Sequence, residues 1–93
     1  MLLVFPWMLA SAAGMPEDPA EITQEITLRC MYEMGEFGDI GVQACVQADQ
    51  EAVAAMKQYP PSAAEAIDRC YQSNWIRGYA VVRQCVDQER GQD

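Results

Sequence analysis

The sequence predicts an all-α fold: two disulfide-stapled antiparallel helical hairpins packed as a small four-helix domain. Three observations carry this reading. Apolar residues recur at helical spacing. The four cysteines of the chain stand in two frames of equal length. Turn residues interrupt each frame near its centre. The frames are "RCMYEMGEFGDIGVQACV", Arg29–Val46, and "RCYQSNWIRGYAVVRQCV", Arg69–Val86. Fourteen residues separate the cysteines in each, and the second frame begins forty residues after the first.

The chain opens on "MLLVFPWMLASAAG", an uncharged apolar run that ends in small residues. Ala10-Ser11-Ala12 and Ser11-Ala12-Ala13 both fit a small-x-small cleavage pattern, so residues 1–13 read as a signal peptide. No Lys or Arg precedes the run, and the alternatives are a start internal to a longer signal and a retained anchor. The run is too short for a stable membrane span, which needs about 20 apolar residues. Residues 14–93 then form one helical domain, with a first hairpin over about 18–59 and a second over about 62–90.

In the first hairpin, Asp18 precedes Pro19, and Glu21 follows three residues after Asp18. An acceptor at the cap, proline in the first helical position and an acid in the first turn are helix-start signals. The apolar stripe Ile22, Ile26, Cys30 and Met34 continues the helix, with Leu28 and Met31 beside it. Glycines at 35, 38 and 41 break it. A second helix is expected from about Val42 to Tyr59, where Pro60-Pro61 stop it. Val42, Cys45, Val46, Ala52, Val53 and Met56 make its apolar face, which Asp49 interrupts.

The second hairpin starts with Ser62 as the expected cap and Glu65 three residues on. Asn74 and Gly78 mark its turn, and Tyr79, Val82, Cys85 and Val86 make a shorter apolar face. Glu89 stands where Asp49 stands in the first frame, and a solvated rim position is expected for both. Both copies carry Glu-x-x-x-Arg-Cys, Glu25/Arg29/Cys30 and Glu65/Arg69/Cys70, a favourable helical ion-pair spacing for Glu and Arg.

The midpoint of Cys30 and Cys45 falls between Phe37 and Gly38, and that of Cys70 and Cys85 between Arg77 and Gly78. Residues equidistant from a turn face each other in an antiparallel hairpin. A disulfide needs Cα atoms about 4.4–6.8 Å apart, which such a turn provides. A continuous helix would hold each pair about 22 Å apart. The expected pairing is Cys30–Cys45 with Cys70–Cys85. A nested pairing, Cys30–Cys85 with Cys45–Cys70, is the competitor, since connectivity is not fixed by sequence. A core of about 80 residues rarely supplies more than ~3–5 kcal/mol. Two bridges closing loops of this length would add on the order of 3 kcal/mol each.

The formal charge is −8. Nucleic-acid binding is excluded as an expectation, because phosphate contact needs clustered Lys and Arg. Glu17–Lys57 holds nine acids and two bases, against five and four over Gln58–Asp93. This reads as a solubilising surface; an acidic first half would also suit a basic partner. The sequence has no histidine, so Ser-His and Cys-His catalysis are absent, and so is a Cys-x-x-Cys motif. Fourteen-residue spacing suits a zinc site poorly. Met31, Met34 and Met56 would be soft copper(I) ligands, but methionine at helical spacing is more often core filler. No catalytic residue, metal site or cofactor is expected.

Tyr32, Phe37, Tyr71, Trp75 and Tyr79 are expected to fill the space between the hairpins near the turns. An exposed Trp75 would instead mark a partner site, since an aromatic on a turn often anchors a partner. The candidate partner surface is therefore the two turns: Trp75 and Tyr79 in the second, Phe37 and Asp39 in the first.

Paired helix–cysteine hairpins resemble, in architecture only, the coiled-coil-helix-coiled-coil-helix proteins of the mitochondrial intermembrane space. Those space their cysteines more closely within a continuous helix, so their nested pairing does not transfer. Residues Cys70–Glu89, "CYQSNWIRGYAVVRQCVDQE", are similar to a Cys…Trp…Tyr-x-x-Val-x-x-Cys-Val pattern of small exported bacterial proteins of uncharacterised function. Cys70, Trp75, Tyr79, Val82, Cys85 and Val86 carry the likeness. The first frame keeps Cys30, Val42, Cys45 and Val46, with Gly35 and Asp39 at the aromatic positions. This resemblance implies no activity.

The expected function is that of a periplasmic or secreted, non-catalytic binding or structural module whose partner is another protein, of the inhibitor or immunity kind. The alternative is a periplasmic thiol-redox or metal-handling protein. That alternative predicts an exposed thiol, a labile bridge or converging methionines.

Overall fold

A computed structural model describes residues 14–91. The signal-peptide reading of residues 1–13 lies outside the described residues. Four α-helices follow in order: α1 Pro19–Met34, α2 Gly38–Lys57, α3 Ala64–Asn74 and α4 Tyr79–Glu89. Single 3-10 turns link them at Gly35–Phe37, Pro61–Ala63 and Trp75–Arg77. There is no strand among the described residues.

Asp18 caps α1 by accepting from the Ala20 N–H at 3.0 Å, with Pro19 at the first helical position. The expected Ser62 cap is corrected: Ser62 sits inside the Pro61–Ala63 turn, and α3 begins at Ala64 with no side-chain cap. The Ala63 N–H donates to the Pro60 carbonyl instead, at 2.9 Å. Helix α2 starts at Gly38, one turn earlier than expected. Gly38 alone reverses the chain, with φ +78°, and Gly41 is accommodated within the helix. Gly78 makes the matching reversal, with φ +104°. Left-handed backbone of this kind disfavours any residue with a Cβ.

Both reversals fall at the midpoints of the cysteine frames, and the expected pairing holds. Cys30–Cys45 and Cys70–Cys85 are bonded, with Cα separations of 5.7 and 5.8 Å. Each hairpin is thus two antiparallel helices stapled one or two turns from their connection.

The core is the meeting of four stripes. Ile22, Ile26 and Cys30 come from α1, Ala52, Val53 and Met56 from α2, Ala66 and Cys70 from α3, and Tyr79, Val82 and Val86 from α4. The hairpins join chiefly through α2 and α4. Asp49 of α2 bonds Ala80 at the start of α4, and Tyr59, just past α2, bonds Asp87 near α4's end. These two contacts make α2 and α4 run in the same direction. The second hairpin consequently seats on the C-terminal half of α2, which is nine residues longer than α4. Val42 and Val46, nearer the first turn, stay only partly covered.

Candidate interaction surface and the seam between hairpins

The seam is built on three polar side chains, Asp49, Arg29 and Glu25, whose partners helical spacing does not reveal. Asp49 is 2% exposed, which corrects its expected place on a solvated rim. Its Oδ2 accepts from Arg29 Nη2 at 2.7 Å, and its Oδ1 accepts from the Ala80 N–H at 3.1 Å. The first N–H groups of a helix have no partner within it, and the helix dipole favours an anion there. Asp49 therefore caps α4 from another helix.

Arg29 completes the arrangement. Its Nη1 pairs with Glu33 at 2.6 Å. Its Nη2 also lies 3.1 Å from Cys45 Sγ and 3.4 Å from Cys30 Sγ, so the guanidinium rests against the first bridge. Room for it comes from Gly78, where a Cβ would stand 2.6 Å from Nη2. Burial alone would pull the Arg29 pKa down. The hydrogen bond and charge of Asp49, with those of Glu33, outweigh burial and leave it raised.

Glu25 is the third. The expected Glu25–Arg29 pair does not form. Glu25 instead accepts from Tyr79 OH at 2.7 Å and Tyr71 OH at 2.9 Å. The two rings stack with centroids 5.8 Å apart. Burial, and then the Glu25 carboxylate, push the Tyr71 pKa up to about 12, and the same causes raise Tyr79 further. Glu65 and Arg69 do sit as the spacing predicts, 3.9 Å apart on the surface.

The four residues of the candidate partner surface divide. Trp75 is 51% exposed, and Phe37 and Asp39 are exposed as well. Tyr79 is 3% exposed and belongs to the core, which corrects its place on that surface. The reason is the docking of the hairpins: its hydroxyl reaches Glu25 of the first hairpin and its ring stacks on Tyr71. The core-filling expectation fails in turn for Tyr32, which is 93% exposed, and for Phe37 and Trp75.

Trp75 does not stand alone. Together with Leu28 and Tyr32 of α1 it walls an open depression of about 320 Å³, with Glu25 and Arg29 at its edge. Leu28 and Tyr32 are four residues apart, so one face of α1 presents both. Trp75 arrives from the second hairpin, so the depression straddles the seam. Helical spacing reveals the Leu28–Tyr32 face, but its meeting with Trp75 depends on how the hairpins dock.

No free cysteine occurs among the described residues. Cys30, Cys45 and Asp49 lie close enough to share an ion, as do Cys70, Cys85 and Glu89. In both groups the sulfurs are joined to each other, so they offer no thiolate, which is the form that binds metal. Met31 and Met34 lie at the C-terminal end of α1, whereas Met56 shares a depression with Ile22 near the opposite end. The three methionines do not converge. No helix among the described residues is long and apolar enough to cross a membrane. Comparison with protein families, with curated proteins and with solved structures finds no match for this chain.

Proposed function

We propose that the chain is an exported, disulfide-stapled helical module that binds another protein without catalysing a reaction, in the manner of an inhibitor or immunity protein. Two bridges suit an oxidising compartment, periplasmic or secreted. The hairpins read as two copies of one frame, specialised at their turns. The observation that carries binding is the depression walled by Leu28, Tyr32 and Trp75. Tryptophan and tyrosine are the residues most often found to dominate association energies. A folded core has no use for so much uncovered aromatic surface at one seam.

The carboxylates support a non-catalytic reading. Asp49 is engaged by Arg29 and the α4 N-terminus, and Glu25 by two tyrosine hydroxyls. The partner surface that fits is an apolar side chain flanked by Lys or Arg. The apolar chain fills the depression, and the basic flank meets α1 and its turn, where Glu21, Glu33 and Glu36 outnumber Arg29. Such charge complementarity speeds encounter and fixes orientation.

A photo-crosslinking residue at Tyr32, with one at the exposed Glu51 as control, tests this in the producing cells. The expected result is a discrete adduct from position 32. Excess purified wild-type protein should compete it away, while protein carrying Leu28→Ser and Trp75→Ala should not. Equal adducts from both positions, or equal competition by both proteins, would refute the surface.

A further inference from the structure

The chain reaches α1 through an arm whose start is held by the second hairpin. Met15 packs against the core and shares a depression of about 280 Å³ with Met56 and Ile67. Glu17, Lys57 and Asp68 are the charged groups around it. One residue earlier, Gly14 meets the Asp68 carboxylate so closely that a Cβ at Gly14 would lie 2.0 Å from Oδ1. Any other residue there would force the carboxylate aside. Allowing a bond length of about 1.5 Å, Oδ1 stands within about 3.5 Å of the Gly14 Cα. The main-chain nitrogen is up to one bond further, within about 5 Å, so a turn of the Asp68 side chain brings the two within pairing distance.

Inside a longer chain that nitrogen is a neutral amide. At the start of a chain it is an ammonium. Ser11 and Ala13 stand at small-x-small spacing directly before Gly14. We propose that export cleaves the Ala13–Gly14 bond, and that the new α-ammonium of Gly14 pairs with Asp68. A signal-cleaving peptidase would add water across the bond. Ala13 leaves as a carboxylate on the released segment, and the amine on Gly14 takes up a proton at neutral pH. The inference rests on the export reading and sharpens it. Of the two cuts the sequence allows, the one after Ala12 would leave an uncharged amide beside Asp68, and the one after Ala13 places a cation there. Asp68 and Glu17 favour that cation, and Lys57 opposes it.

The test uses the full chain, expressed in an exporting bacterial host and recovered from the envelope or medium. Intact mass should give a chain that begins at Gly14. A different mature start overturns this inference and leaves export standing; a chain that keeps residues 1–13 overturns both. On the Gly14 protein, the Gly14 resonances followed against pH by NMR report the α-amino group. Its pKa should lie a few tenths of a unit above the ordinary 7.7–8.0 or so, the size an exposed ion pair supplies. Asp68→Asn should remove that rise. Equal titration in the two proteins would dismiss the pairing.

Discussion

In the first hairpin an arginine and an acid meet beneath the second hairpin, with Asp49 sealed from solvent and Arg29 only 14% exposed. Forty residues on, Arg69 and Glu89 occupy the matched positions and meet at 2.6 Å in the open, with Arg69 60% exposed. The bridges feel this difference. The Arg29 guanidinium lies on the sulfurs of the first, whereas the Glu89 carboxylate stands 3.7 Å from Cys70 Sγ of the second. A bridged sulfur has no proton to donate, so the latter is a contact without a hydrogen bond. The same pairing of arginine and acid at the same spacing thus does different work, because one pair lies where the hairpins dock and the other faces water. An ion pair's consequence depends on its surroundings more than on its distance.

The comparison breaks most visibly at the two arginines. Arg29→Ala leaves Asp49 buried with half its partners gone and is expected to cost about 3–5 kcal/mol, enough to threaten a domain of this size. Arg69→Ala is expected to cost about 0–1 kcal/mol. Denaturant unfolding of the oxidised proteins measures both, and equal losses would erase the distinction between the pairs.

The two turn glycines sharpen it. Gly38→Ala meets nothing within 4 Å and should cost only the penalty of its positive-φ, extended-ψ backbone, about 1–3 kcal/mol. Gly78→Ala carries that penalty and also drives a methyl group into the Arg29 guanidinium. Its loss should exceed that of Gly38→Ala by about 1 kcal/mol or more, as for other overpacked sites. Thermal melting of the pair ranks them, and an unchanged ranking in an Arg29→Ala background would show that the notch is not the cause.

The smallest effect is at alkaline pH. Tyr71 and Tyr79 have folded-state pKa values above the unfolded value of about 10. Raised values mean that their contribution is complete below pH ~10 and fades as pH climbs toward and past about 12. Melting temperature should therefore decline over that window. Glu25→Gln should let the tyrosines ionise earlier in an ultraviolet titration while burial keeps part of the rise. A titration unchanged by that substitution would leave burial as the whole cause.

Most of the fold could be read from the sequence, because most of what makes it is local. Gly38 and Gly78 lie where the cysteine midpoints point, and the stripes Ile22/Ile26/Cys30 and Val82/Val86 follow helical spacing. The seam could not be read. Asp49 and Arg29 are twenty residues apart, and Ala80 is thirty-one beyond Asp49, so no window of local periodicity joins them. Glu25 has Arg29 at an ideal helical distance yet is drawn to hydroxyls 46 and 54 residues away. Residue type also misplaces the aromatics. Tyr79 and Tyr32 are chemically alike, and only the docking of the hairpins buries one and leaves the other out.

The notch at Gly78 makes the two hairpins depend on each other. Each bridge closes over fifteen positions of chain, so either hairpin can be oxidised on its own. The space that receives Arg29 is completed by the second hairpin at Gly78. Without the docked second hairpin, Arg29 and Asp49 would keep their water and the α4 N-terminus would lack its cap. Each bridge holds one hairpin by itself; the shielded Arg29–Asp49 pair joins the two into a single molecule.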